Sequence, residues 1–317
     1  MLNQDADANP PVPATGVHDA DRRQRVRRIG SVLYLIILGL VFGKSLLSLV
    51  GYAAETPLFS YILSIPVCVA FLVAIRRNDL PTVYVCSPAW ALIPLLSGLA
   101  AWFAGSGWRI GAWTFSYVDQ LSLMAFAFVC FLIAGGFLFL GQKWMVAASF
   151  PAAFLFFVVP LPDGVLEWME TSLQSASAEA ADLFFFISRT PVMREGVFFE
   201  LPGFSMQVGQ ECSGIQASWV LFISTVLASA LFLKSPWRRA VLILAVVPLG
   251  ILRNGFRIMV IGLLCIHQGP HMIDSVIHRK GGPLFLALSL IPLAIILWWL
   301  RKGERPGRGS PASGGSK

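Results

Sequence analysis

In the stretch Gln210 to Ser218, QECSGIQAS, a polar segment turns into an apolar run, and Cys212 stands at the junction. A thiol that opens a helix sits among unpaired backbone N–H groups and the positive end of the dipole, which favour its anion. A nearby arginine lowers its pKa further. The thiolate so formed attacks carbonyl carbon. Ser213 and Gly214 suit a helix start where backbone must come close to a substrate. Two further side chains are chemically out of place: Arg253 and Arg257, four residues apart on one face of a long apolar run. Charge at such depth is costly and belongs in a protein interior or wet cavity with a function. Arg257 lies about nine residues, or roughly 13 Å, from the outer end of its run. Acyl transfer by a cysteine also needs a general acid or base, and the loop that follows offers His267, His271 and His278.

Each of these residues has a plainer reading. The arginines could snorkel or pair with an acid such as Glu211, and Lys44 in the first apolar run is better read as snorkelling. Cys212 could form a disulfide with Cys265, since both lie toward an oxidising face. The histidines with Cys265 could bind zinc, but Gly269-Pro270 breaks the helix that an i, i+4 pair requires. No metal or cofactor is therefore assigned. Cys68, Cys86 and Cys130 fall within apolar runs, where a thiol is a small hydrophobe.

The elements that must position these groups are membrane helices. Hydrophobic residues make up 56% of the 317, charged ones 13%, and the mean hydropathy is +0.72, more than one soluble core could hide. The net charge of +7 does not point to nucleic acid, because the basic residues form short clusters between apolar runs, as in cytoplasmic loops. No cleavable signal peptide is expected before the first run, because residues 1–21 carry no apolar segment with a small-residue cleavage site. An all-α polytopic bundle of about eight transmembrane helices is expected, with runs near 29–52, 58–75, 83–104, 120–140, 145–159, 212–233, 240–266 and 282–300.

Residues 1–28 form a polar and basic cytoplasmic segment, 29–300 the membrane domain, and 301–317 a flexible cytoplasmic tail. About sixteen Lys and Arg fall on the inner side of this layout and about five on the outer, which places both termini inside. The outer segment 161–211 differs from the rest. Asp163 to Arg189 reads as an amphipathic helix at the membrane interface, with Val165, Trp168, Met169, Leu173 and Leu183 as its apolar side. Val197 to Val208 alternates like a small β segment around a Pro202-Gly203 turn.

In order along the chain, Cys212-Ser213-Gly214, Asn254-Gly255-Phe256-Arg257, and His278 followed by Gly282 and Phe285 resemble the motifs of the exosortase and archaeosortase family of membrane cysteine transpeptidases. Phe150-Pro151 to Pro160-Leu161-Pro162 and Arg194-Glu195-Gly196 to Leu201-Pro202 extend the likeness, so residues 150–285 form the catalytic part it implies. Gln216 departs from it, standing where Arg or Leu often follows the Cys-Ser-Gly, and no separate soluble C-terminal domain is expected in the stretch 301–317.

The resemblance singles out Arg257 over Arg253, which spacing alone does not. It implies Cys212 as nucleophile, Arg257 as stabiliser of thiolate or oxyanion, and His278 as general acid and base, with Asn254, Arg253, Ser213 and Gly214 in support. It implies substrates that are secreted proteins ending in a Pro-Glu-Pro-like motif, a membrane helix and a basic tail. These would be cut at the outer face of an inner membrane and passed to an acceptor such as polysaccharide or lipid. Membrane lipid is a partner and nucleic acid is not. Two other readings remain: a carrier that binds an anion through Arg253 and Arg257, and an intramembrane cysteine hydrolase that cuts without transfer.

Overall fold

Apolar runs of this length become helices because hydrocarbon offers backbone groups no partner, so each segment must satisfy its own. The computed structural model describes residues 15–81, 86–106, 115–209, 213–269, 271–272 and 282–304. Its elements are α1 (Thr15–Glu55), a 3-10 segment (Pro57–Ser64) leading into α2 (Ile65–Ile75), α3 (Pro88–Gly105) and α4 (Tyr117–Phe139). Short α5 (Gln142–Ala147) and α6 (Ser149–Phe154) follow, then α7 (Asp163–Ile187), strands β1 (Met193–Glu195), β2 (Phe198–Leu201) and β3 (Phe204–Gln207), α8 (Ile215–Phe232), α9 (Pro236–Gln268) and α10 (Gly282–Lys302).

Among the described residues seven helices are long and apolar enough to cross a membrane, and an eighth span exists if the pair Ser149–Val158 and Asp163–Ile187, bent by 89°, counts as one. The chain is a multi-pass membrane protein. Leu40, Leu47 and Val67, 70–79% exposed, have the lipid-facing exposure that water would penalise.

The expected fifth run is not one straight helix. Pro151 has no N–H to donate to Ala147 and its ring crowds that carbonyl, so the helix breaks where α5 gives way to α6. Pro160 and Pro162 then hold the chain extended before α7. The expected β segment gains an upstream strand: the antiparallel sheet has order β1-β2-β3, with Arg194 opposite Phe199 and Phe199 opposite Met206. The helix expected over 163–189 is present as α7, but its buried face is Ser177, Ala178, Ala181 and Phe185, while Val165, Trp168 and Leu183 stay exposed. Small residues there let another backbone come close.

The chain divides into two compact units, residues 1–54 with 62–160, and residues 55–61 with 161–317. In the first, α3 and α4 lie side by side; a Cβ on Gly98 would stand 3.0 Å from Cys130 Cβ. Leu38, Phe42, Ala101 and Ala127 form its buried cluster.

In the second, Ala178, Phe185, Phe199, Met206 and Ile258 join α7, the sheet and α9, while Leu221, Leu242 and Leu293 join α8, α9 and α10. The turn between α8 and α9 and the end of α10 cap each other. Glu304 accepts from the backbone N–H of Lys234 and Ser235, at the start of α9, while Arg238 donates to the carbonyls of Leu300 and Gly303.

These backbone bonds hold the Glu304 carboxyl below its ordinary range, chiefly that from Lys234. A carboxylate with a depressed folded pKa stabilises fully above its unfolded value and loses that contribution as pH falls through the folded one. Glu304→Gln is therefore expected to lower the melting temperature of purified protein at neutral pH. The gap from wild type should close on acidification below the unperturbed 4.5.

Candidate active site

The segment that leads to Cys212 is fixed at its near end. The Val208 N–H donates to Val197 O at 3.0 Å, and its carbonyl accepts from the Gln174 side-chain amide on α7. Arg194, across the sheet, pairs with Asp182 of α7 at 3.8 Å and donates through Nε to Gly196 O. The sheet is thereby tied to the helix that packs on α9.

At the far end stands Gly214. The helix expected to begin at Cys212 begins at Ile215, with Gly214 as the residue before its first turn, at φ 73° and ψ 14°. L side chains are strained in this left-handed conformation. A Cβ at Gly214 would also lie 2.8 Å from Cγ and Oδ1 of Asn254 and 3.0 Å from Nη2 of Arg253. Both the turn and the close approach therefore require glycine. Ser213 beside it is buried, its hydroxyl accepting from the Ile215 N–H.

Arg253 fastens this turn to α9. Its Nη2 donates to Gly214 O at 3.0 Å and to Ser218 Oγ at 3.1 Å, one turn into α8. The residue is 8% exposed, and Nη1 is buried without a hydrogen-bond partner among the described residues. A buried guanidinium with an unused donor is a strong attractor for an anion or an acceptor oxygen. Asn254 is 1% exposed, and Arg257, one turn further along α9, is half-buried. Arg257 lies three turns in from the helix end at Gln268, at a depth close to that expected.

Small residues let α9 reach this position. A Cβ on Gly250 would meet Ser218 Oγ at 2.9 Å, and one on Gly255 would meet Ala180 Cβ at 2.6 Å. The Gly255 of the Asn-Gly-Phe-Arg motif is thus a point of close approach between α9 and α7.

The structure therefore brings Ser213, Gly214, Arg253 and Asn254 together. Cys212 and His278, as well as Glu211, lie outside the described residues. Sequence reasoning missed Ser218, Gln174 and the bond from Arg253 to the turn. Ser218 carried a signal, a hydroxyl four residues after Gly214 on the same face of an apolar helix. Gln216, the departure from the family pattern, donates to Pro57 O at 3.1 Å.

Cys265 is a buried free thiol, and the exposed His267 ring is hydrogen-bonded to Leu263 O of its own helix at 2.8 Å. Among the described residues no group of three or more His, Cys, Asp or Glu is placed to hold a metal ion.

A family model described as "Transmembrane exosortase (Exosortase_EpsH)" matches residues 53–295. No curated protein and no solved structure matches the chain. The family match covers α2 through most of α10, including the Gly214, Arg253 and Asn254 cluster. The chain belongs to the transmembrane exosortase family.

Proposed function

We propose that the protein is a cysteine transpeptidase that processes secreted proteins carrying a C-terminal sorting signal. The observation that carries this reading is the seating of the Cys-Ser-Gly turn on α9. Gly214 O rests on Arg253, the bare Cα of Gly214 rests against Asn254, and a buried cationic donor is left over beside them. The positive-inside pattern supports an orientation with this end of α8 and α9 at the exterior of an inner membrane and both termini in the cytoplasm.

In the reaction, the Cys212 thiolate attacks the carbonyl carbon of a peptide bond within the Pro-Glu-Pro-like motif. The tetrahedral oxyanion is stabilised by Arg257 in a low-dielectric setting. His278 gives a proton to the departing amine as the C–N bond breaks, which leaves a thioester on Cys212 and frees the membrane helix with its basic tail. An acceptor hydroxyl or amine on polysaccharide or lipid then loses its proton to His278 and attacks the thioester, and the thiolate leaves.

Hydroxylamine added during processing tests this sequence, because it intercepts thioesters. A hydroxamate at the C-terminus of the mature substrate is expected, with less acceptor-linked product. A free carboxylate that hydroxylamine does not change would instead mark direct hydrolysis without a thioester.

A further inference from the structure

The first unit contains a cavity of about 330 Å³ between α1, α2, α4, α5 and α6. This volume falls within the range of small-molecule sites, about 300–1,000 Å³. Its walls include Leu35, Val73, Ile133, Phe139, Ala152 and Leu155. The two hydroxyls on the lining are already used: Tyr34 donates to Phe131 O at 2.7 Å and Ser31 to Arg28 O at 2.9 Å. Tyr34 fits against α4 because Gly135 has no side chain; a Cβ there would lie 2.5 Å from the ring. What this chamber accepts is hydrocarbon.

The helix ends next to its lining residues are of the opposite character. Arg28 precedes Ser31 by one turn, Arg76 and Arg77 follow Val73 by one turn, and Lys143 adjoins Trp144, another lining residue. The Arg76 guanidinium lies over the Phe150 ring, 5.9 Å from its centroid, next to Pro151 of the wall. Arg28, Arg77 and Lys143 are exposed, and Asp79 is the acid on the same turn, its N–H bonded to Arg76 O. These ends are the ones that the positive-inside rule assigns to the cytoplasm, where a tryptophan also suits the headgroup level. An apolar chamber whose lining helices end in cations at that level matches one kind of molecule, a lipid with a negative head and a hydrocarbon tail.

We propose that this cavity holds an acyl chain of an anionic phospholipid of the cytoplasmic leaflet, with its phosphate bound by Arg28, Arg76, Arg77 and Lys143. A helix followed by a basic tail would meet like charge at these helix ends. A zwitterionic lipid would gain little from the four cations. The site uses none of the residues assigned to transfer, so it stands or falls apart from that reading.

Native mass spectrometry of the full chain in detergent, titrated with phosphatidylglycerol or phosphatidylcholine, decides it. One phosphatidylglycerol should bind at least about tenfold more tightly than phosphatidylcholine. Ala152→Trp, which fills the chamber, should weaken it by a similar factor. The combined Arg28→Gln, Arg76→Gln, Arg77→Gln and Lys143→Gln variant changes only charge at these helix ends and should lose the preference between the two lipids. Equal binding of both lipids by wild type, or an unchanged preference in the combined variant, would overturn the proposal. So would a photo-cross-linker at position 133 that captures the membrane helix of a precursor instead of lipid.

Discussion

Cys212→Ala is expected to leave full-length precursor in the membrane, with processing reduced at least about a thousandfold, as when a covalent nucleophile is removed from an enzyme that acts through it. An immunoblot that follows precursor and mature substrate reads this directly, and an unchanged melting temperature shows that the protein still folds. Processing at the wild-type rate would end the cysteine mechanism. The anion-carrier reading makes the opposite forecast: flux in proteoliposomes that survives Cys212→Ala and disappears with Arg253→Gln or Arg257→Gln. The two outcomes share no result.

Gly214→Ala should damage processing for two separate reasons. The left-handed conformation costs a non-glycine residue roughly 1–2 kcal/mol. The new carbon would also stand 2.8 Å from two atoms of Asn254, closer than real side chains approach. Relief requires either Asn254 or the turn to move, and the turn is bonded to Arg253 through Gly214 O. If the two effects together reach about 3 kcal/mol, processing falls by roughly a hundredfold even where the protein still folds. Gly164→Ala on α7 is the matched control, since nothing lies within 4 Å of its added carbon, and it should process normally. Equal behaviour of the two variants would mean that the turn does not need its observed geometry.

The spans were legible because each is a local property: a run of apolar residues long enough to cross, ended by charge, Gly or Pro. Where tertiary context decides, the sequence was silent or misleading. The run 145–159 has the composition of a span, yet Pro151 breaks it into two short helices. Strand β1 is too polar and short to announce itself, and exists through its pairing with β2. On α7 the residues Val165, Trp168, Met169, Leu173 and Leu183 drew attention, but the contact with α9 is made by Ala180 and Ala181 together with Phe184 and Phe185.

At the candidate site, the motif glycine and the intramembrane arginines could be found by residue type alone. That Arg253 would hold the turn could not, since a bond from a helix interior to a carbonyl 39 residues upstream leaves no local pattern. The resemblance had favoured Arg257. The described hydrogen bonds add Arg253 as the residue that holds the turn in place.

Val208 and Gly214 now have a further meaning. One is moored through Val197 and Gln174, the other through Arg253, and Cys212 belongs to the five residues between them. Under the proposed mechanism, moorings this close in sequence would bound the depth at which a scissile bond meets the thiol. The measuring device would then be the substrate's own membrane helix, and the register between that helix and its motif would act as a ruler for where the cut falls.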